Sequence, residues 1–135
     1  MDNGNWLFEE PFVPYGPKAQ GLRPNPIVDR SFGLAVRIVR FVKTVRENGW
    51  VDLARQLFRS GTSIGANVHE AQHASSRADF IHKMRISEKE ASETDFWLKL
   101  CKECPELPYE EGLLEDLDEV KALLYSILRT SEERR

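Results

Sequence analysis

From Trp50 to Ala71 the chain sets Trp50, Ala54, Leu57, Gly61, Ile64, Val68 and Ala71 at intervals of 4-3-4-3-4-3 without a break. A strand repeats every two residues and a loop has no period, so this rhythm predicts a helix with one buried seam. It recurs at Phe80, Met84, Ser87, Ala91, Thr94, Leu98 and Cys101, and again at Leu113, Leu117, Val120, Leu124 and Ile127, where Leu114, Leu123 and Leu128 broaden the stripe. A further segment carries two rows: Val28, Phe32, Ala35, Val39 and Val42, and beside them Leu34, Ile38, Phe41 and Val45. Two rows predict burial on more than one side, as in a bundle. No stretch alternates convincingly with period two.

Punctuation sets the expected helix ends. Pro26 or Asp29 opens the first helix and Asn48-Gly49 closes it. The second runs from about Val51 to the neighbourhood of Ala74. Ser76 with Asp79 forms a capping box with Asp in place of Glu, and the third helix spans Arg77 to Glu103. Pro105 and Pro108 end it, and the fourth runs from about Glu110 to Arg129. Four helices with short connections predict an all-α, antiparallel up-down-up-down four-helix bundle. Within the second helix, Gly61 and Gly65 each cost about 1 kcal/mol against Ala. Two glycines four apart predict that a neighbouring backbone comes close. They lie inside the helix, without the free N–H groups of a phosphate loop.

Residues 1–26 differ in kind. Pro11, Pro14, Pro17, Pro24 and Pro26 forbid a regular helix, yet Trp6, Leu7, Phe8, Phe12, Val13 and Tyr15 are apolar. This predicts a Pro-rich extended arm at 1–26 that docks on its own subunit or a neighbour, a bundle at 27–131 and a polar tail at 132–135.

Charge divides along the chain. Nineteen Lys and Arg against 22 Asp and Glu leave a net −3, which excludes a uniformly basic nucleic-acid binder. Residues 28–85, however, are net +5 and residues 86–135 net −7. Arg30, Arg37, Arg40, Lys43 and Arg46 on the first helix, with Arg55 and Arg59 on the second, form a candidate nucleic-acid-binding surface. The competing reading pairs them with Glu110, Glu111, Glu115, Asp116, Asp118 and Glu119 of the fourth helix. Apolar runs fall far short of the ~20 residues that span a bilayer, so no membrane partner is expected. No signal peptide is expected either, and two cysteines, too few for a disulfide framework, point to the cytoplasm.

Two motifs bear on chemistry. His69-Glu70-Ala71-Gln72-His73 is a literal H-E-x-x-H. On a helix it places two imidazoles one turn apart with Glu positioned to activate a zinc-bound water, which defines an alternative function as a zinc-dependent hydrolase. Hairpin geometry nominates His82 as a third ligand and leaves Glu93 about 15 Å along the third helix. Metal binding by His69, His73 and His82 without catalysis is a separate reading. Cys101-Lys102-Glu103-Cys104 lies at a helix C-terminus, where the dipole disfavours thiolate, so packing outweighs redox work. No cofactor is expected.

The stretch from Leu57 to Glu70, with Ser63, Ile64, Asn67, Val68 and Glu70 matching a Ser-Ile-x-x-Asn-Ile-x-Glu core, resembles a bacterial four-helix-bundle family. These are the proteins encoded in intervening sequences of large-subunit ribosomal RNA genes, relatives of the accessory variability protein of diversity-generating retroelements. A second pattern, aromatic-x-x-x-Arg-Ile followed by small residues and Glu, is similar to Phe80 or Ile81 through Arg85, Ile86, Ala91, Ser92 and Glu93. The family often has Gly where this chain has Ala71, and its retroelement relative is strongly basic, unlike this chain. The resemblance implies a ring-like homopentamer, with biochemical function unassigned for most members. Facing residues of a hairpin turning at 75–76 sum to about 151. Asn67, Glu70 and Arg85, with Ser63 and Glu93, are therefore expected to form a structural polar cluster beside the core. The combined expectation is a non-enzymatic oligomeric assembly or adaptor protein that engages nucleic acid, or a nucleic-acid enzyme, through its basic surface.

Overall fold

A computed structural model describes residues 24–133. The helices are α1 (Pro26–Glu47), α2 (Val51–Ala71), α3 (Arg77–Glu103) and α4 (Leu113–Glu133). They pack in the cyclic order α1, α2, α3, α4 and back to α1, and the diagonal pairs do not bring Cα atoms within 8 Å. Successive helices are antiparallel, as the cross-links show: Asn25 at the start of α1 donates to Gln72 at the end of α2, and Arg59 of α2 meets Glu93 of α3. This is the four-helix bundle that the periodicity predicts. The arm expected at 1–26 lies outside the described residues except for its last three, and α1 already includes Pro26.

Pro26 occupies the first turn of α1, where its missing N–H costs nothing. Asn25, at the cap position, turns its side chain to Gln72 at 3.1 Å instead of capping its own helix. Gly49, with φ of 94°, makes the reversal into α2. The α3 cap is as expected: Ser76 Oγ accepts from the Asp79 amide at 3.0 Å. Asp79 reaches back one residue further than the usual box, to the Ser75 amide at 3.2 Å.

Two helix ends differ from expectation. α2 stops at Ala71, because the amides of Gln72, His73 and Ala74 each donate to the carbonyl three residues back. That tighter pattern winds the chain out of the α-helix. α4 begins at Leu113 and runs on to Glu133. Gly112, with φ of 88°, breaks any earlier start, and Glu110 is drawn aside by Arg37.

The core follows the 4-3 seams. Ile38, Val45, Leu57, Ile64, Val68, Met84, Leu98, Leu117 and Leu124 have no exposed surface. Buried hydroxyls are satisfied across the α2–α3 seam: Thr94 donates to Ser60 Oγ at 2.9 Å and Ser87 to the Ile64 carbonyl at 2.8 Å. The row of α1 from Val28 to Val42 departs from the two-sided burial expected of the helix, whereas Leu34, Ile38, Phe41 and Val45 are buried. Val28 and Val42 are buried, but Phe32 is 65% exposed and Val39 44%. A square bundle covers only the side of α1 that points inward, so the extra width of its apolar stripe remains at the surface.

Candidate functional site

The most distinctive surface runs along the α1–α2 groove. Phe32 and Ala35 of α1 line its first half, opposite Thr62, Gly65, Ala66 and His69 of α2. Thr62 also borders the second half, formed by Arg46 of α1 with Val51, Arg55, Phe58 and Arg59 of α2. The groove is shallow because α1 and α2 touch almost backbone to backbone: a Cβ at Gly65 would stand 3.1 Å from the Ser31 carbonyl. A second apolar area lies on the opposite side of the bundle. Phe96 is 58% exposed on α3, with Leu100 one turn on, and Tyr125 of α4 is 60% exposed. Tyr125 stands one turn beyond Lys121, which pairs with Asp95 next to Phe96.

The basic residues divide by partner. Arg37 is held by Glu110 and by Asp116 at 2.6 Å, and donates to the carbonyls of Glu111 and Gly112. Hydrogen bonding to Glu110, then to Asp116, raises its pKa. Arg30 pairs with Glu119, so both arginines tie α1 to α4. Arg55 pairs with Asp52 at 2.7 Å and Lys43 with Glu47 at 3.9 Å, each within its own helix. Arg59 bridges to Glu93 and Glu90 of α3. Arg40 and Arg46 have no ion pair among the described residues. The anionic partners expected from α4 are thus present for Arg30 and Arg37, and the cations facing solvent without such a partner are fewer than the seven candidates.

The H-E-x-x-H residues do not sit together on one helical face. His69 and Glu70 lie within regular helix, and His73 falls in the turn after Ala71. Their rings meet edge-on at 5.6 Å. Glu70 is engaged by Lys83 of α3 at 2.8 Å. His82 lines a separate depression with Arg77, Ala78 and Ile81. Among the described residues no three His, Cys, Asp or Glu side chains gather into a metal-holding group. Cys101 is buried, which pushes its thiol up to about 11, and Cys104 is half-buried at the helix end.

Nor do Ser63, Asn67, Glu70, Arg85 and Glu93 make one cluster. Ser63 donates to the Arg59 carbonyl at 2.6 Å, and Asn67 to the Ser63 carbonyl at 2.8 Å. Glu93 joins Arg59 and accepts from the Trp97 indole at 3.0 Å. Arg85 turns the other way, to Glu88 and to Glu132 of α4. The hairpin sum gives the level of each residue along the bundle, but a shift of one position turns a side chain by 100°. Residue 85 lies one past the core residue Met84 and so falls on the α4 flank.

The family model for the 23S rRNA-intervening sequence protein matches residues 23–126. The chain belongs to that family. It is also similar to the crystal structure, at 1.70 Å resolution, of a protein with unknown function from the S23 ribosomal protein family of Bacteroides thetaiotaomicron. The two are 44% identical with a TM-score of 0.73, over 78% of this chain and 96% of the other. No curated protein matches the chain.

In this intervening-sequence family member, the signature around Ser63–Glu70 builds the α2 seams: Ile64 and Val68 are fully buried, and the polar members bond locally or to α3. Sequence reasoning passed over Phe96 and Tyr125. Their signal is an aromatic residue off the 4-3 rhythm of its helix, which a buried seam cannot use. No helix among the described residues is long and apolar enough to cross a membrane.

Proposed function

We propose that the protein works by assembling: a non-enzymatic scaffold that closes into a ring, pentameric by its family resemblance, and presents a repeated basic face to nucleic acid or to an enzyme acting on it. The observation that carries this reading is the pair of apolar areas on opposite sides of the bundle, Phe32 with Val39 and Phe96 with Tyr125. A cyclic ring is built head to tail, so each subunit needs two different patches that complement each other. Exposed aromatic residues are the type that such interfaces favour. Repetition then multiplies the cations. Arg40 and Arg46, without ion pairs among the described residues, supply a few contacts per subunit, and a ring makes these multivalent. The free cysteines suit a reducing compartment such as the cytoplasm.

Light scattering on the eluting full chain tests the assembly. The expected mass is five times the 15.6 kDa chain. Phe32→Glu and Phe96→Glu, each at an exposed position, should both give folded monomer. A wild-type monomer, or a ring indifferent to both substitutions, would defeat the proposal. For the basic face, Arg40→Glu with Arg46→Glu should abolish low-salt binding to RNA or DNA while leaving the ring intact. Unaltered binding would remove that part of the reading.

A further inference from the structure

We infer that His69 and His73 form a two-imidazole site for a divalent transition ion of the Ni²⁺, Cu²⁺ and Zn²⁺ class at the C-terminal end of α2. It is a binding site rather than a catalytic one. It goes beyond the scaffold reading and uses none of the apolar patches or cations assigned to the ring.

The two rings stand near the spacing that a shared ion requires. A ligating nitrogen lies about 2.0–2.1 Å from such a metal, which puts each ring centre roughly 3.2 Å from it, so two rings at tetrahedral angles lie about 5.2 Å apart. The ring centres of His69 and His73 are 5.6 Å apart. Their planes cross at 62°, so the rings are not stacked on one another. Both side chains are exposed, and small rotations about their own bonds bring one nitrogen of each onto a common ion. The backbone between them is fixed. The Gln72 amide donates to the His69 carbonyl at 3.1 Å, and the His73 amide to the Glu70 carbonyl at 3.0 Å. Gln72 is itself buried, donating to the Val68 carbonyl at 3.0 Å and accepting from Asn25.

Charge favours a cation at this place. α2 runs 21 residues to Ala71, and its C-terminal end carries the negative pole of the helix dipole. Glu70 adds a carboxylate beside His69, but Lys83 engages it at 2.8 Å, so it is not placed as a base for a metal-bound water. Among the described residues no third His, Cys, Asp or Glu completes a metal-holding group, which leaves the remaining coordination positions to water. His82 lies apart, in a depression with Arg77, Ala78 and Ile81. Imidazole suits nickel, copper and zinc, whereas Mg²⁺ and Ca²⁺ demand oxygen ligands that the pair does not supply.

Equilibrium dialysis of the tag-free full chain against Ni²⁺, with light scattering run in parallel, tests this. The wild type should take up one ion per chain at about 100 µM free metal, with its oligomeric state unchanged and no competition from Mg²⁺. His69→Ala and His73→Ala should each lower the affinity at least tenfold, whereas His82→Ala and Glu70→Gln should stay within about twofold of wild type. Both histidines are exposed, so helicity by circular dichroism should match the wild type in each variant. With Cu²⁺ as the probe, electron paramagnetic resonance should show coupling to two imidazole nitrogens in the wild type and to one in His73→Ala. Less than half an ion per chain, an affinity indifferent to either substitution, or an equal loss in His82→Ala would overturn the inference. One ion per two chains would also overturn it, because a second copy would then supply the other ligand.

Discussion

Gly61 of α2 lies against Ile38 of α1 so closely that a Cβ added there would stand 2.7 Å from Ile38 Cγ2. With Gly65 one turn on, it sets the distance between the two helices. Gly61→Ala should therefore destabilise the bundle despite the better helix propensity of Ala. Overpacking costs about 1–3 kcal/mol against a propensity gain of about 1 kcal/mol. Gly33→Ala, where a Cβ meets nothing within 4 Å, should be neutral or stabilising. Urea midpoints of the two variants check the contrast, and equal shifts would contradict it.

Arg37 and Arg40 are both arginines of α1, yet they should respond differently to Met. Arg37 bonds to two carboxylates and two carbonyls, and charge-assisted bonds of this kind contribute about 1.5–3 kcal/mol. Arg37→Met should cost roughly that, discounted for partial exposure to about 1–2 kcal/mol. Arg40→Met should stay within about 0.5 kcal/mol of wild type. Thermal unfolding of the two variants side by side is the measurement.

Glu93 should make stability depend on acid. Hydrogen bonds from Arg59 and then from Trp97 hold its carboxyl below the ordinary value of 4.5. A carboxyl depressed in the folded state stabilises above its unfolded pKa, and that contribution is lost as pH falls through the folded value. Denaturation between pH 6 and pH 3 should show the wild type losing its advantage over Glu93→Gln below about pH 4.5. A constant difference across that range would refute the coupling.

The two thiols should be distinguishable. Cys101 is buried and its thiol is raised to about 11, while Cys104 is partly accessible. A thiol reagent at pH 8 should label Cys104 promptly and Cys101 only on denaturation. Equal labelling rates in the native protein would mean that the α3 C-terminus opens readily.

Much of the fold was legible because a seam repeats. Each interval in Trp50–Ala71 carries the same information, so the helix and its buried face follow from many concordant positions. The near approach at Gly61 and Gly65 was legible for a related reason: two glycines one turn apart on a helix leave room for a close neighbour, whereas the lone Gly33 of α1 meets nothing within 4 Å. The polar residues were harder. Level along the bundle follows from the hairpin sum, and Ser87 does meet Ile64 at a sum of 151. Direction around the helix does not, so Arg85 was read toward α2 when it faces α4. His73 shows a third limit, because a helix end set by backbone hydrogen bonds three residues back has no side-chain signature. The exposure of Phe32 and Val39 was masked by their regular spacing, which burial and exposed apolar width produce alike.

Arg37 reaches Glu110 across 73 residues of chain and Asp116 across 79. The other three seams each join consecutive helices, so the α1–α4 seam alone is closed between elements at the two ends of the bundle. Contacts of such separation carry the largest loop-closure entropy and form after the local hairpins. Interactions made after the transition state slow unfolding with little effect on the rate of folding. Arg37 thus acts as a latch on lifetime: it governs how long a finished bundle stays shut, and leaves the speed of its formation to the helical hairpins.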